Sequence, residues 1–296
     1  YDFVNEDSHP NDDFGHGTHV AATIFQITNN AEHAAGLSSK IEVMPVKVLS
    51  ANGGGLSSTV ADGVRYAVDN GAEVINMSLG ISGTSSLVED EIIRARSYGV
   101  TVVVAAGNSS SRGGLHSVSF PASMDEVISV GATRLDNVRA DYSNGGGKLD
   151  LVAPGGQLIS DAADGVLDLD GDKLPDGILQ ETINPGSYDS PDFDPTKFTS
   201  VGSINPDWDL RCVSCNFFYC WISSSCGLKE GTSMASPHVA AAAAMVVSKN
   251  DSLTPSQVQS ILETTALDLG SPGKDNEFGH GLINIKEAVK EAGKDI

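Results

Sequence analysis

Unbroken apolar runs alternate along this chain with stretches whose apolar residues recur every three to four positions, which predicts strands interleaved with helices. A helix is expected over 16–27, then a strand across Ile41–Val48 and a helix over 57–70. In that second helix Val60, Val64, Tyr66, Ala67 and Val68 form an apolar side and Gly71 supplies a stop. A strand follows over 74–79, then a helix over 87–98 closed by Gly99. Val100 to Ala106 is a β-branched run of the kind buried on both faces of a parallel sheet. Shorter strands are expected over 127–130 and 149–152, and helical spacing returns over 232–248, 254–264 and 284–292. Alternation of this kind predicts an α/β fold in three layers, a mostly parallel doubly wound sheet flanked by helices.

Between Gly155 and about Leu228 the periodicity fades, so this region reads as loops and an insertion within one domain spanning 1–296. The insertion proper, about 180–228, holds all the cysteines: Cys212, Cys215, Cys220 and Cys226. An even count allows disulfides in an oxidising compartment, and unpaired thiols or a metal knot in a reducing one. With 39 acidic against 18 basic residues the formal charge is −21, which argues against nucleic-acid partners because phosphate binding needs clustered cations. No apolar run is long enough for a membrane span.

Reactive side chains sit among small residues at two predicted helix starts, Gly15-His16-Gly17-Thr18-His19-Val20-Ala21 and Gly231-Thr232-Ser233-Met234-Ala235-Ser236-Pro237-His238. A serine hydroxyl attacks carbonyls poorly unless a base takes its proton, and imidazole titrates in the range that suits the task. Together the pair points to acyl transfer. Both stretches resemble the histidine and serine signatures of the subtilisin-like serine proteases, and Ala105-Ala106-Gly107-Asn108 resembles the turn carrying that family's oxyanion asparagine. Gly279-His280-Gly281-Leu282-Ile283-Asn284 is similar to the turn into the family's last helix, so the resemblance covers most of the chain outside 180–228.

The resemblance implies a secreted serine endopeptidase with His16 as general base, Ser233 as nucleophile, and the Asn108 amide and Ser233 N–H as oxyanion donors. Extended polypeptide substrates would lie between Gly53-Gly54-Gly55 and Ser78-Leu79-Gly80. The pocket for the residue before the scissile bond would be walled by Ala105, Ala106 and Gly107, with Ser119 near its floor. No charged floor is evident, so apolar or aromatic residues are expected there. His19 and His238 lie beyond the reactive positions and are expected to pack or hydrogen-bond. Ala22 and Ala241 replace family glycines, adding a methyl group without removing a reactive one.

The family's catalytic Asp sits on a strand well before the histidine motif, and Asp2, Asp7, Asp12 and Asp13 lie in a polar loop that does not fit. That carboxylate is expected upstream of Tyr1, as are a signal and a pro-segment, and without it little activity is expected. A second reading is an inactive peptide-binding pseudoprotease, separable by labelling Ser233. A nonproteolytic α/β hydrolase would carry a G-x-S-x-G elbow, which the serine here lacks. Finally, Asp168, Asp170 and Asp172 alternate, with Asp176 four positions on, a spacing that gathers oxygens around a hard cation and makes structural Ca²⁺ the expected ligand. An ordinary solvated turn is the alternative.

Overall fold

The computed structural model describes residues 1–29, 34–158, 167, 169–170, 176–182, 215–216, 219–220 and 226–294. Four parallel strands, β1 (Val74–Met77), β2 (Thr101–Ala105), β3 (Ile128–Thr133) and β4 (Leu151–Pro154), pair in chain order. The β-branched run behaves as its pattern demands: all five residues of β2 are buried. Its alternate side chains feed two different cores. Val102 and Val104 face α2 (Ser57–Asp69) and α3 (Ser86–Ser97), meeting Val64, Val88 and Ile92. Val103 faces the other layer, where Val130, Leu151, Val239, Val246 and Leu262 pack with α4 (Thr232–Lys249), α5 (Pro255–Thr264) and α6 (Ile285–Ala292). The three-layer α/β architecture follows from a sheet that is apolar on both faces.

Local chemistry fixes the helix ends. Thr254 closes a capping box with Gln257, and Pro255 occupies the first turn of α5, where its missing N–H costs nothing. Along α2, Val60, Val64, Ala67 and Val68 are buried on one stripe. Tyr66 departs from the expected apolar side: it is half-buried and meets the rings of Tyr1 and Phe3, with centroids 5.5 and 5.7 Å away.

The expected strand at Ile41–Val48 is not a strand. Only Lys47 bridges, to Asp2, with Lys47 N–H donating to the Tyr1 carbonyl at 2.9 Å and Phe3 N–H to the Lys47 carbonyl at 2.8 Å. Val46 and Val48 lean on α2 at Gly63, but Met44 is exposed, so the run touches a helix on one side only. The region read as loops also contains unforeseen pairing. Strands β5 (Ile178–Glu181) and β8 (Cys226–Lys229) form an antiparallel ribbon, and β6 (Cys215–Asn216) pairs with β7 (Tyr219–Cys220), Cys215 opposite Cys220. The β5–β8 ribbon carries no local signal because its short strands lie far apart in sequence, and the β6–β7 hairpin because each strand is only two residues long. Cys212 lies outside the described residues.

Candidate active site

Helix α1 (His16–Phe25) begins at the candidate base and packs against α4. Its first turn is held by Asp12, whose carboxylate accepts from the N–H groups of Phe14 (2.9 Å), Gly15 (2.9 Å) and Thr18 (2.7 Å) and from the Thr18 hydroxyl (2.8 Å). Burial pushes the Asp12 carboxyl up, but those donors outweigh it and hold the group below its ordinary range. Burial also pulls the His16 imidazole below its ordinary value; Lys229 adds to the drop and Asp12 opposes it. No side chain among the described residues hydrogen-bonds the His16 ring.

At the head of α4, Pro237 decides the geometry around Ser233. Lacking an N–H, it cannot bond the carbonyl one turn back, which is that of Ser233. Ser78 satisfies this orphan: its hydroxyl lies 2.8 Å from the Ser233 carbonyl and 2.7 Å from the Ser236 hydroxyl. In return the Ser233 hydroxyl donates to the Ser78 carbonyl at 3.2 Å, not to His16. The segment leaving β1 is thereby tied to the first turn of α4.

Asn108 is fixed by its oxygen, which accepts from the Thr232 N–H at 2.9 Å and the Thr232 hydroxyl at 2.8 Å. The Asn108 NH₂ is therefore turned the other way. A methyl group placed on Gly231 would sit 3.4 Å from Asn108 Nδ2 and 3.6 Å from Ser233 N, so both donors border one small space. Gly107, at φ 107°, must be glycine for steric reasons as well as dihedral ones. A Cβ there would come within 2.5 Å of Asn144 Nδ2 and 2.6 Å of Ser119 Oγ, and Asn144 Nδ2 donates to Ser119 Oγ at 3.0 Å. Gly107, Ser119 and Asn144 thus meet at one spot, while Ala106 beside them is fully buried in the core.

The remaining candidates fall as follows. Gly53 and Gly54 form a turn on Ser50, with the Phe14 ring against Gly53, while Leu79 packs onto the core and Gly80 borders open space. His19 is buried and donates from Nε2 to the Ile178 carbonyl at 2.9 Å; His238 donates from Nδ1 to the Met234 carbonyl at 2.9 Å. Ala22 and Ala241 are buried without disturbing either helix. Of the acidic loop, Asp168 and Asp172 lie outside the described residues. Asp176 Oδ2 accepts from Leu169 N–H at 2.6 Å, and no cluster of three or more potential ligands that could hold a metal occurs among the described residues. Asp170 and Asp176 alone do not make a cation site.

Sequence reasoning missed Asp12, Tyr142, Asn144, Lys229 and Thr232 as contributors. Thr232 stands inside the serine signature and Asp12 four residues before His16, so each carried a positional signal. Tyr142 and Asn144 carried none, because only folding brings their loop to α4.

A parallel three-layer sheet presenting a serine at a helix head, with an asparagine amide beside it, defines a subtilisin-like α/β protein. Comparison with known sequences places this chain in the subtilase family, whose model matches residues 1–281. It is 33% identical to subtilisin DY of Bacillus licheniformis over 97% of this chain and 82% of that protein. It is 35% identical to subtilisin Savinase of Lederbergia lenta over the same shares. Against subtilisin E of Bacillus subtilis strain 168 it spans 59% of the length, at 33% identity over 97% of this chain. Among solved structures, a protease from Pseudoalteromonas arctica PAMC 21717 superimposes with a TM-score of 0.68 at 33% identity, covering 94% of this chain and 70% of that one. A cold-adapted subtilisin-like serine proteinase gives 0.63 at 27% identity, covering 96% and 78%. The chain belongs to a family of serine proteases, whose substrates are polypeptides. No helix among the described residues is long and apolar enough to cross a membrane.

Proposed function

We propose that residues 1–296 form one peptidase domain, with an insertion at about 180–228, that hydrolyses extended polypeptides through Ser233, His16 and Asn108. The observation that carries this reading is the pair of donors, Asn108 Nδ2 and Ser233 N–H, bordering one space at the positive end of α4. A carbonyl oxygen seated there gains most when it becomes an oxyanion, which is transition-state rather than substrate binding. Loss of one such donor in a protease of this family costs about 10²–10³ in kcat.

In the reaction the Ser233 hydroxyl leaves the Ser78 carbonyl, gives its proton to His16 and attacks the scissile carbonyl. His16 then passes that proton to the departing amine, and water repeats the sequence to release the acyl group. Burial and the charge of Lys229 favour the neutral imidazole, the form able to accept a proton. The Asp12 carboxylate is committed to the amides of α1, so the carboxylate that orients His16 is proposed to come from sequence before Tyr1. Without it turnover should fall by about 10⁴.

The uncharged residues Ala106, Gly107 and Ser119 support a preference for an apolar or aromatic residue before the scissile bond. The Gly53-Gly54 turn and the Ser78-Leu79-Gly80 segment support backbone pairing with an extended peptide. Export from the cell, a pro-segment, and structural Ca²⁺ at Asp168, Asp170, Asp172 and Asp176 belong to the same reading; the calcium assignment is supported by carboxylate spacing.

The inactive peptide-binding reading is favoured by one observation, the absence of a hydrogen-bond partner for the His16 ring among the described residues. A fluorophosphonate separates the two. In a protein that includes the sequence before Tyr1, Ser233 should be labelled stoichiometrically and the Ser233→Ala variant not at all. Failure to label the extended protein, while a casein substrate stays intact, would leave the binding reading.

A further inference from the structure

Among the described residues Lys229 is the cation that acts on His16, and nothing in the reaction just described uses it. It lies four residues before Ser233, at the end of β8 and directly across from Ile178 of β5. Opposed residues in an antiparallel ribbon share a face. On the face of Ile178, Gln180 Nε2 donates to the Ala35 carbonyl just beyond α1, and the Thr182 hydroxyl donates to the Gly15 carbonyl immediately before His16. The opposite face is turned away: Leu228 meets Gly177, and Glu230 Oε2 accepts from Leu158 N–H at 2.6 Å. Lys229 therefore projects on the α1 side of the ribbon, beside the first turn that begins at His16.

Its ammonium makes no ion pair or hydrogen bond among the described residues, although the side chain is half-buried. Burial lowers its proton affinity, and among the described residues the charge of Asp12 opposes this. An ammonium held partly out of water with no partner carries an unspent desolvation cost that an incoming carboxylate would offset.

The reaction fixes which part of a substrate meets it. His16 must deliver its proton to the leaving nitrogen, so the residue bearing that nitrogen lies against His16, whereas the acyl side lies toward Gly107 and Ser119. We propose that Lys229 selects substrates carrying Asp or Glu in the first or second residue after the scissile bond. In a chain of net charge −21, acidic peptides are repelled at long range, so a local cation is what makes such a preference attainable.

This inference rests on the endopeptidase reading, and the test keeps the two apart. The protease, with the sequence that precedes Tyr1 included, is given a peptide series that is identical except for Glu, Gln or Lys at each of those two positions. At one of them kcat/KM for Glu should exceed that for Lys by about tenfold, the order of one partly desolvated ion pair. The ratio should shrink as salt is raised from 0.02 to about 0.5 M, where screening shortens to a few ångströms. Lys229→Arg should keep the ratio, Lys229→Gln should bring it near unity, and Lys229→Glu should invert it. Cleavage with a ratio near unity in the parent enzyme, or a ratio unmoved by Lys229→Glu, overturns the inference while leaving the peptidase intact. Absence of any cleavage, with Ser233 unreactive, removes both.

Discussion

Among the described residues, burial and nearby charge, not a hydrogen-bond partner, act on the proton affinity of His16. Desolvation is the largest influence, Lys229 pushes the same way, and the committed carboxylate of Asp12 pushes back. The active form is neutral imidazole, so the like charge of Lys229 holds the acidic limb of kcat/KM lower than it would stand without that cation, whatever the orienting carboxylate adds. Removing the cation with Lys229→Gln should shift that limb upward, because the protonated ring no longer faces a like charge. A pH profile on an uncharged peptide checks this, and a limb that moves downward in the variant would contradict the electrostatic account. Asp12 obeys the opposite linkage. Its lowered value means that the stability it lends α1 is present above the unfolded carboxylate range and is lost as pH falls through the folded one.

The N-terminal turn of α4 is the element on which the site depends, and its anchors come from distant chain segments. Tyr142 illustrates this best. Its buried hydroxyl accepts from the Gly231 N–H at 2.9 Å and lies 2.9 Å from the Gly155 carbonyl and 2.6 Å from that of Gly156. Burial and the charge of Glu230 push this phenol well above its ordinary value, so it remains a donor. Tyr142→Phe keeps the ring volume and removes only the oxygen. Because the Gly231 N–H also donates to the Gly155 carbonyl at 3.1 Å, the loss should be modest, about 1 kcal/mol, as for one buried hydrogen bond. Thermal unfolding would measure that cost. A positioning role adds a second signature, a fall in kcat at nearly constant KM when the rate is referred to active sites titrated at Ser233, which a smaller folded fraction would not produce. Within α4 itself, the exchange between Pro237 and Ser78 shows how a residue unfavourable inside a helix leaves a carbonyl for another segment to bind.

At the scale of the whole molecule, two apolar cores lie on either face of one parallel sheet, α1 packs directly on α4, and the β5–β8 ribbon lies against α1. The proposed calcium loop leads into that ribbon, since Asp176 stands two residues before β5. A cation bound there would stabilise the fold by mass action, by about 2.7 kcal/mol at a hundredfold excess over its dissociation constant. Thermal melts in calcium and in excess chelator should therefore differ by several degrees, and Asp168→Asn should reduce the difference. Identical melts would remove the cation from the structure.

The elements of both cores were legible because strand and helix periodicities are local: the β2 run and the 60, 64, 67, 68 stripe of α2 are properties of adjacent residues. The reactive candidates were legible for a related reason, since His16, Asn108 and Ser233 each sit in a compact motif at an element boundary. What could not be read was every relation whose partners lie far apart in sequence. The single bridge at Lys47, the β5–β8 ribbon, the Ser78 hydroxyl on the Ser233 carbonyl, the Tyr142 anchor and the side of the ribbon on which Lys229 stands all depend on chain closure. By itself the sequence determined the layers of this protein and the types of groups it brings to acyl transfer. The tertiary structure decided their orientation and charge, because hydrogen-bond direction and desolvation exist only after distant segments have excluded water together.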